Sequence, residues 1–150
     1  MRKLLTVAAA TILALGFATP AHASEQEPHP DVVYAINAVP GGTVVDEHTV
    51  VWPELGMTLT AANPMQRAVG NCATGQYCAY SAANRGGTKL SFGVCTVVST
   101  AALSSVGSIA NARSSGTVQA RSSGGTILAT ASAGGSANVI GATVNLRCLL

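Results

Sequence analysis

Short β-prone runs alternate with turns rich in Gly, Ser and Asn along most of this 150-residue chain. Runs of β-branched and aromatic residues bounded by such turns are the pattern of short strands. In the second half of the chain the pattern predicts strands at residues 76–80, 88–92, 117–121, 126–131, 137–140 and 143–147. Only residues 101–106 have the composition of a short helix. Regular short strands of this kind fold into a sandwich or a barrel, so the predicted fold class is all-β.

Residues 1–23 have the three parts of a secretory signal peptide. Arg2 and Lys3 give a positive start, residues 4–17 are almost entirely apolar, and Ala21-His22-Ala23 supplies small residues before a cleavage site. The apolar run is too short for a bilayer anchor, so we favour cleavage after Ala23 over an uncleaved membrane anchor. We therefore expect residues 24–150 to be secreted, extracellular and without a membrane span.

Composition divides the remaining chain into three parts. Residues 24–30 are polar and contain two prolines, which predicts a disordered leader. Residues 31–65 contain β-prone runs, the first at 32–36, and are predicted to form an acidic N-terminal β-hairpin segment. Residues 66–150 are predicted to form the cysteine-bearing domain. Trp52, the only tryptophan, is expected in the core, with a partner anchor as the alternative.

The ionisable side chains are segregated along the chain. All six acids precede residue 55, and every Arg and Lys after the signal peptide follows it. Residues 55–150 contain no Asp, Glu or His, and they therefore lack the usual general acids and bases and the carboxylates that calcium sites use. A serine nucleophile would lack a base, and disulfide-bonded cysteines offer no thiolate. We therefore predict no enzyme activity, no catalytic residue and no cofactor.

The cluster Asp46-Glu47-His48 is the one place where carboxylates and an imidazole are adjacent. Neighbouring strand residues point to opposite faces, so we interpret it as a solvated turn between two strands. The charge segregation also suggests that the acidic segment folds back on the basic domain. Apolar strands must contribute most to that docking, because exposed ion pairs add only about 0.2–1 kcal/mol each. The scattered bases are too few to predict nucleic-acid binding.

Four cysteines follow the signal peptide, and an even number in an exported chain predicts disulfides. Of the three possible pairings we favour Cys72–Cys78 and Cys95–Cys148, because Cys72 and Cys78 bracket a turn-like Ala-Thr-Gly segment. Zinc is the competing use of four cysteines, but their spacing lacks paired C-x-x-C motifs and no histidine is near. We predict no metal site.

A weak internal repeat runs through the cysteine-bearing domain. Residues 79–81 lead to a Gly-Gly-Thr turn and a returning strand at 86–90, and residues 120–122 lead similarly to 124–128. Chance similarity in a Gly- and Ser-rich chain is the alternative. A true repeat predicts two pseudo-symmetric halves, each built from antiparallel strands.

Residues 72–80 have the spacing Cys-x-x-Gly-x-x-Cys-x-Tyr, followed by Asn84, Gly86-Gly87 and Phe92. This segment resembles the opening of small secreted bacterial metalloproteinase inhibitors, a peptidase inhibitor family with a βγ-crystallin-like fold. Residues 104–106 with Asn111 are similar to the serine-containing turn that closes a crystallin Greek key. The resemblance covers about residues 69–148. It implies a Greek-key sandwich of two pseudo-repeats, here preceded by the N-terminal hairpin segment.

The resemblance also implies inhibition of an extracellular protease, of the metalloprotease class by preference, by a rigid disulfide-braced β-scaffold. The chain departs from the family in its second half, where Cys148 is the only cysteine, so no reactive residue can be carried over. The loops also lack the acidic residues of crystallin calcium sites. The alternative function is a non-inhibitory binding or structural module for a cell-wall, envelope or protein ligand. Its contacts would be Tyr77 and the arginines, and Tyr80 if it were not in the core.

Overall fold

The computed structural model describes residues 27–63 and 71–150. The predicted signal peptide, the start of the leader and the predicted boundary between residues 65 and 66 lie outside these residues. Within the described parts, no helix is long and apolar enough to cross a membrane.

The described residues form one α-helix and eleven strands. Their bounds are α1 Pro30–Ala38, β1 Thr43–Asp46, β2 Thr49–Trp52, β3 Met57–Thr60, β4 Tyr77–Tyr80, β5 Lys89–Phe92, β6 Val97–Ser99, β7 Ser108–Asn111, β8 Thr117–Arg121, β9 Ile127–Ser132, β10 Ser136–Asn138 and β11 Asn145–Leu149. The all-β class is confirmed. All six strands predicted in the second half are present, with bounds displaced by at most two residues, whereas β6 and β7 were not predicted.

The strands form two antiparallel sheets. The first has the order β1-β2-β3-β5-β4-β7-β10, and the second has the order β6-β11-β8-β9. Strand β6 lies in the second sheet, although its sequence neighbours β5 and β7 lie in the first. Conversely, β10 lies in the first sheet, although β9 and β11 lie in the second. Each half of the cysteine-bearing domain thus contributes three strands to one sheet and one strand to the other.

The internal repeat corresponds to two similar hairpins, β4–β5 and β8–β9. In the first hairpin the Ser81 hydroxyl oxygen accepts a hydrogen bond from the Thr88 amide at 2.8 Å. In the second, the Ser122 hydroxyl accepts from the Thr126 amide at 3.2 Å. A serine and a threonine at corresponding positions thus close both turns with the same hydrogen bond. The repeated sequence therefore has a repeated structural role.

The strand predicted at residues 32–36 is wrong, because these residues belong to α1. The His29 side chain caps the helix by accepting from the Asp31 amide at 3.2 Å, and Pro30 occupies the first turn. Val32 and Ala35, three residues apart, are both fully buried on one helix face. Packing of that face outweighs the β-propensity of Val32. His29 and Pro30, assigned to the leader from the sequence, are therefore part of the folded structure.

The short helix predicted at residues 101–106 is also wrong. This segment is a turn in which the Leu103 amide donates to the Thr100 carbonyl at 2.9 Å. Ala102, Leu103 and Val106 are buried. The apolar residues that suggested a helix are therefore core residues of an irregular connection between β6 and β7.

The acidic segment packs on the cysteine-bearing domain, as hypothesised. Strand β3 pairs with β5 in a register that runs from Met57 opposite Phe92 to Thr60 opposite Lys89. The segment also shares the main core, which includes Val32, Val50, Trp52, Leu59, Tyr77, Leu90, Ile109, Val118 and Leu146. The close pairs His29–Asp31 and His48–Glu47 both lie before β2 and do not link the acidic segment to the cysteine-bearing domain. Strand pairing and apolar burial thus join the two parts.

Candidate binding surface at the Cys95–Cys148 disulfide

Both disulfides pair as predicted, with Cα–Cα distances of 5.8 Å for Cys72–Cys78 and 5.1 Å for Cys95–Cys148. The first spans six residues and lies beside the outer face of β4. The second joins the connection after β5 to the last strand, β11, across a sequence separation of 53. It therefore fixes the chain between β5 and β6, which we call the 93–97 segment (residues 93–97).

The Tyr77 side chain supports this segment from inside the core. Its hydroxyl is within hydrogen-bonding distance of two carbonyl oxygens, at 3.0 Å from that of Val94 and 3.3 Å from that of Thr96. The ring is fully buried and stacks on Phe92 with a centroid distance of 5.2 Å. The Cys148 amide donates to the Thr96 carbonyl at 3.1 Å. The backbone is thereby held on both sides of Cys95.

Tyr77 remains protonated at neutral pH. Burial raises the pKa of its hydroxyl above the ordinary value of 10.0, and the charge of Arg113 opposes the shift. The hydroxyl therefore keeps the proton with which it bonds the 93–97 segment.

The 93–97 segment presents two exposed aliphatic side chains, beside the exposed Thr96. Val94 is 57% and Val97 56% exposed, and Leu55 in the neighbouring turn is 51% exposed. The Gly93 amide donates to the Gly56 carbonyl at 2.9 Å, which fixes the turn containing Leu55 against the segment. A rigid backbone thus displays three aliphatic side chains to solvent.

A cavity of about 220 Å³ lies beside these side chains. It is lined by Val39, Leu55, Met57, Phe92 and residues 96–99, and none of these carries a charge. An uncharged lining of this kind suits aliphatic groups and offers no acid, base or anionic metal ligand.

The open edge of β6 forms one side of the cavity. Among the described strands, β6 is an edge strand of the second sheet and pairs only with β11. The Thr96 carbonyl accepts a hydrogen bond from the Cys148 amide of β11, and the Thr100 amide donates to the Val144 carbonyl directly before β11. Because backbone groups alternate in direction along an antiparallel strand, those of Val97 and Ser99 face the open edge. An extended chain laid along this edge would meet backbone donors and acceptors beside an apolar cavity.

The other residues singled out from the sequence lie elsewhere. Glu47 and His48 form the turn between β1 and β2, as predicted, and the His48 amide donates to the side chain of Asp46, the last residue of β1, at 2.8 Å. Trp52 is in the core, as expected, and its indole donates to the Val39 carbonyl at 2.9 Å. Tyr77 and Tyr80 are both fully buried, which excludes them as surface contacts. Across residues 27–63 and 71–150, no three His, Cys, Asp or Glu side chains are placed to hold a metal ion.

Sequence reasoning missed the 93–97 segment because valines next to a cysteine resemble core residues. The available signal was the position of Val94 and Cys95 directly after Gly93, at the end of an aromatic strand. A disulfide at that point fixes a connection between strands, and connections lie at the surface.

Comparisons with known proteins define no class for this chain. No protein-family model matches it, and neither a curated protein nor a solved structure matches it significantly.

Proposed function

We propose that this chain is a secreted inhibitor that occupies the substrate cleft of an extracellular peptidase with its 93–97 segment. One observation carries the proposal. Exposed Val94 and Val97 side chains are displayed on a backbone that the Cys95–Cys148 disulfide and the Tyr77 hydroxyl both restrain. Extended chains are recognised through backbone hydrogen bonds and pockets for alternate side chains. A restrained segment loses less conformational entropy on binding than a free peptide does.

The charge distribution supports a binding role. No ionisable side chain lines the cavity, and residues 55–150 contain no Asp, Glu or His. The surface offers shape and apolar area, which are what a competitive ligand of a cleft requires. The metalloprotease class is favoured because of the sequence resemblance alone.

The strand arrangement supports a βγ-crystallin-like scaffold of two Greek keys. Within each half, the first, second and fourth strands are neighbours in one sheet, in the orders β5-β4-β7 and β9-β8-β11. The third strand of each half, β6 or β10, is in the opposite sheet. Two Greek keys that exchange their third strands would give these strand orders, which is why the arrangement supports the scaffold that we propose.

Export is supported by the two disulfides, which persist in oxidising compartments, and by the signal-peptide pattern of residues 1–23. Both observations support a target outside the cytoplasm.

The test is inhibition by oxidised residues 24–150 of a thermolysin-like metalloprotease, subtilisin and trypsin. We expect inhibition of one class, lost on reduction. Val94→Asp or Val97→Asp should raise the inhibition constant at least about ten-fold, because burying one aliphatic side chain contributes about 1.5–3 kcal/mol. Ile140→Asp is the matched control, since Ile140 is 88% exposed and far from the segment in sequence. An absence of inhibition at micromolar concentration by the folded protein would refute the proposal.

The open edge of β6 favours one alternative, a non-inhibitory module that binds an extended protein segment by strand addition. Cell-wall and envelope polymers are the other ligands to compare. A pull-down on cell-wall material, run beside the inhibition panel, separates the functions. Retention there without inhibition of any peptidase would favour the module.

A further inference from the structure

Among the described strands, four form the edges of the two sheets: β1 and β10 in the first sheet, and β6 and β9 in the second. An edge strand presents backbone N–H and C=O groups that no neighbouring strand uses. Proteins protect such edges with charged residues, with bulges or by keeping the strand very short. Three of these edges have such protection, because β1 has a bulge and ends at Asp46, and β6 and β10 have only three residues each.

Strand β9 lacks this protection over most of its length. It is the longest described strand, with six residues from Ile127 to Ser132, and none of them is charged or a proline. Residues 129–132 pair with β8 in a regular register, and the irregularity in the ladder is confined to the first residues of the strand. Within the described structure, no backbone group of residues 127–131 has a partner other than β8. The outer side of β9 is therefore an open edge.

The surroundings of β9 are also uncharged. Residues 122–146 contain no Asp, Glu, Lys, Arg or His. Arg121 directs its side chain to its own turn, where two of its nitrogens donate to the Gly125 carbonyl at 3.1 and 2.9 Å. The exposed side chains of the strand are those of Ile127, Thr130 and Ser132. A chain laid against this edge thus meets aliphatic and hydroxyl groups and no charge.

The occupant that this edge fits best is a second copy of the same strand. A two-fold axis brings the same surface of both copies together, so a charged edge strand would meet its own charge. Strand β9 avoids that repulsion because it has no charge to repeat. The whole copies do not repel each other either, because residues 24–150 contain six acids and six bases, the other two bases being Arg2 and Lys3.

We propose that this chain forms a two-fold dimer in which β9 pairs antiparallel with β9 of a second copy. The two four-stranded second sheets then join into one sheet of eight strands. Pairing centred on Thr130 places this residue opposite the same residue of the second copy, and Ala129 opposite Ala131. Cross-strand threonine pairs stabilise antiparallel sheets. Strand β6 is the other edge of the second sheet, so both 93–97 segments remain exposed, and the dimer does not depend on the proposed inhibition.

The dimer is expected to be weak. One pair of six-residue strands buries less than the total of about 1,200 Å² at the lower limit for stable protein–protein interfaces. We therefore expect a micromolar dissociation constant, with the dimer predominating above about 100 μM.

The test is sedimentation equilibrium of oxidised residues 24–150 from about 5 μM to about 500 μM. We expect the average mass to rise from that of one copy to that of two and then to level off. Hydrogen exchange followed by NMR locates the contact. At the high concentration, the β9 amides that face the open edge should exchange at least about ten-fold more slowly, because only the minor monomer exposes them.

A charged variant and its matched control separate edge pairing from other contacts. Thr130→Lys places two ammonium groups opposite each other and should raise the dissociation constant at least about ten-fold. Gln119→Lys is the control, because Gln119 is the cross-strand partner of Thr130 on the same face but lies in the interior strand β8. It should leave the dissociation constant nearly unchanged. The Tm at about 5 μM, where the protein is monomeric, checks that both variants are folded.

Three results would overturn the proposal. The mass of a single copy at the highest concentration would show that the edge stays unpaired. Equal weakening of the dimer by Thr130→Lys and Gln119→Lys would show that the copies associate through the face of the sheet. Slower exchange in β1, β6 or β10, with none in β9, would show that a different edge makes the contact. Inhibition assays on Thr130→Lys keep the two proposals separate, because loss of the dimer should leave any inhibition unchanged.

Discussion

Replacing Tyr77 by phenylalanine isolates the support that its hydroxyl gives to the 93–97 segment. The ring keeps its stack on Phe92, and the change removes only the donor to the Val94 and Thr96 carbonyls. Thr96 retains its bond from the Cys148 amide, so the principal loss falls on Val94. One net hydrogen bond contributes about 1 kcal/mol, and a carbonyl left without its donor can add about another. We expect the free energy of unfolding to fall by about 1–2 kcal/mol.

Urea denaturation of the oxidised protein measures this change, with Tyr34→Phe as a control at a half-exposed tyrosine. At this chain length the Tm should decrease by about 3–5 °C per kcal/mol. If the segment is the inhibitory one, the inhibition constant should also rise a few-fold, because a looser segment loses more entropy on binding. Equal stability of the Tyr77→Phe variant and the wild type would refute the role assigned to the hydroxyl.

The same variant gives a second, independent reading at alkaline pH. Burial raises the pKa of Tyr77 above 10.0, so the folded state keeps this proton at a pH where the unfolded chain has lost it. The resulting stabilisation is fully present below pH 10 and is lost as the pH rises through the folded pKa. The wild type should therefore lose stability above pH 10 more steeply than the variant. Tyr80, whose pKa is raised, and Lys89, whose pKa is lowered by burial, are present in both proteins. Parallel curves would contradict the prediction.

Three further substitutions test the scaffold. Replacing Cys95 and Cys148 together by alanine should lower the free energy of unfolding by about 4 kcal/mol, because this disulfide closes a long loop. Replacing Cys72 and Cys78 should lower it by only about 2 kcal/mol, because the loop is much shorter. Equal losses in urea denaturation would contradict this. Gly42→Ala would bring a methyl group within 2.6 Å of the Trp52 ring and should lower the free energy of unfolding by about 1–3 kcal/mol. Tryptophan fluorescence would follow the unfolding, and an unchanged unfolding midpoint would argue against this close contact. Ser108→Ala removes a buried hydroxyl that is bonded to two backbone groups of the turn before β5, and it should lower the free energy of unfolding by about 2 kcal/mol. A decrease of less than about 0.5 kcal/mol by calorimetry would show that these bonds are dispensable.

The sequence predicted the strands that have strong local signals. Residues 117–121 alternate buried and half-buried side chains between two turns, and β8 has those bounds. Strand β7 has no such alternation, because both of its faces are covered and all four of its residues, including Ser108 and Asn111, are buried. Its strand conformation comes from pairing with β4 and β10 on either side. Long-range pairing of this kind leaves no signal in a window of four residues.

Helix α1 is a segment for which a strong local signal gave the wrong prediction. The run at residues 32–36 has strong β-propensity, but its cap is supplied by His29, a residue that rarely caps helices. The His29 amide also donates to the Glu47 carbonyl at 2.8 Å, which docks the start of the helix on the turn between β1 and β2. Tertiary contacts thus decide a segment whose intrinsic preference favours a strand.

The candidate sites were harder to predict than the fold. The pairing of Cys95 with Cys148 followed from counting and spacing, but the exposure of Val94 and Val97 did not, because a hydrophobicity pattern assigns valine to the core. The Tyr77 hydroxyl bonds residues 17 and 19 positions away, a relation that requires the whole path of the chain from β4 to β6. Signals confined to neighbouring residues cannot contain it.

The Tyr77 hydroxyl and the exposed valines of the 93–97 segment distinguish a folding role from a binding role. The fully buried Tyr77 hydroxyl bonds the Val94 carbonyl within the protein, so folding alone accounts for it. The exposed Val94 and Val97 side chains differ, since solvent-facing aliphatic groups add little to stability. These exposed valines are not needed for folding, but the Tyr77 hydroxyl and the Cys95–Cys148 disulfide hold their backbone in place. Binding to another molecule would explain this combination.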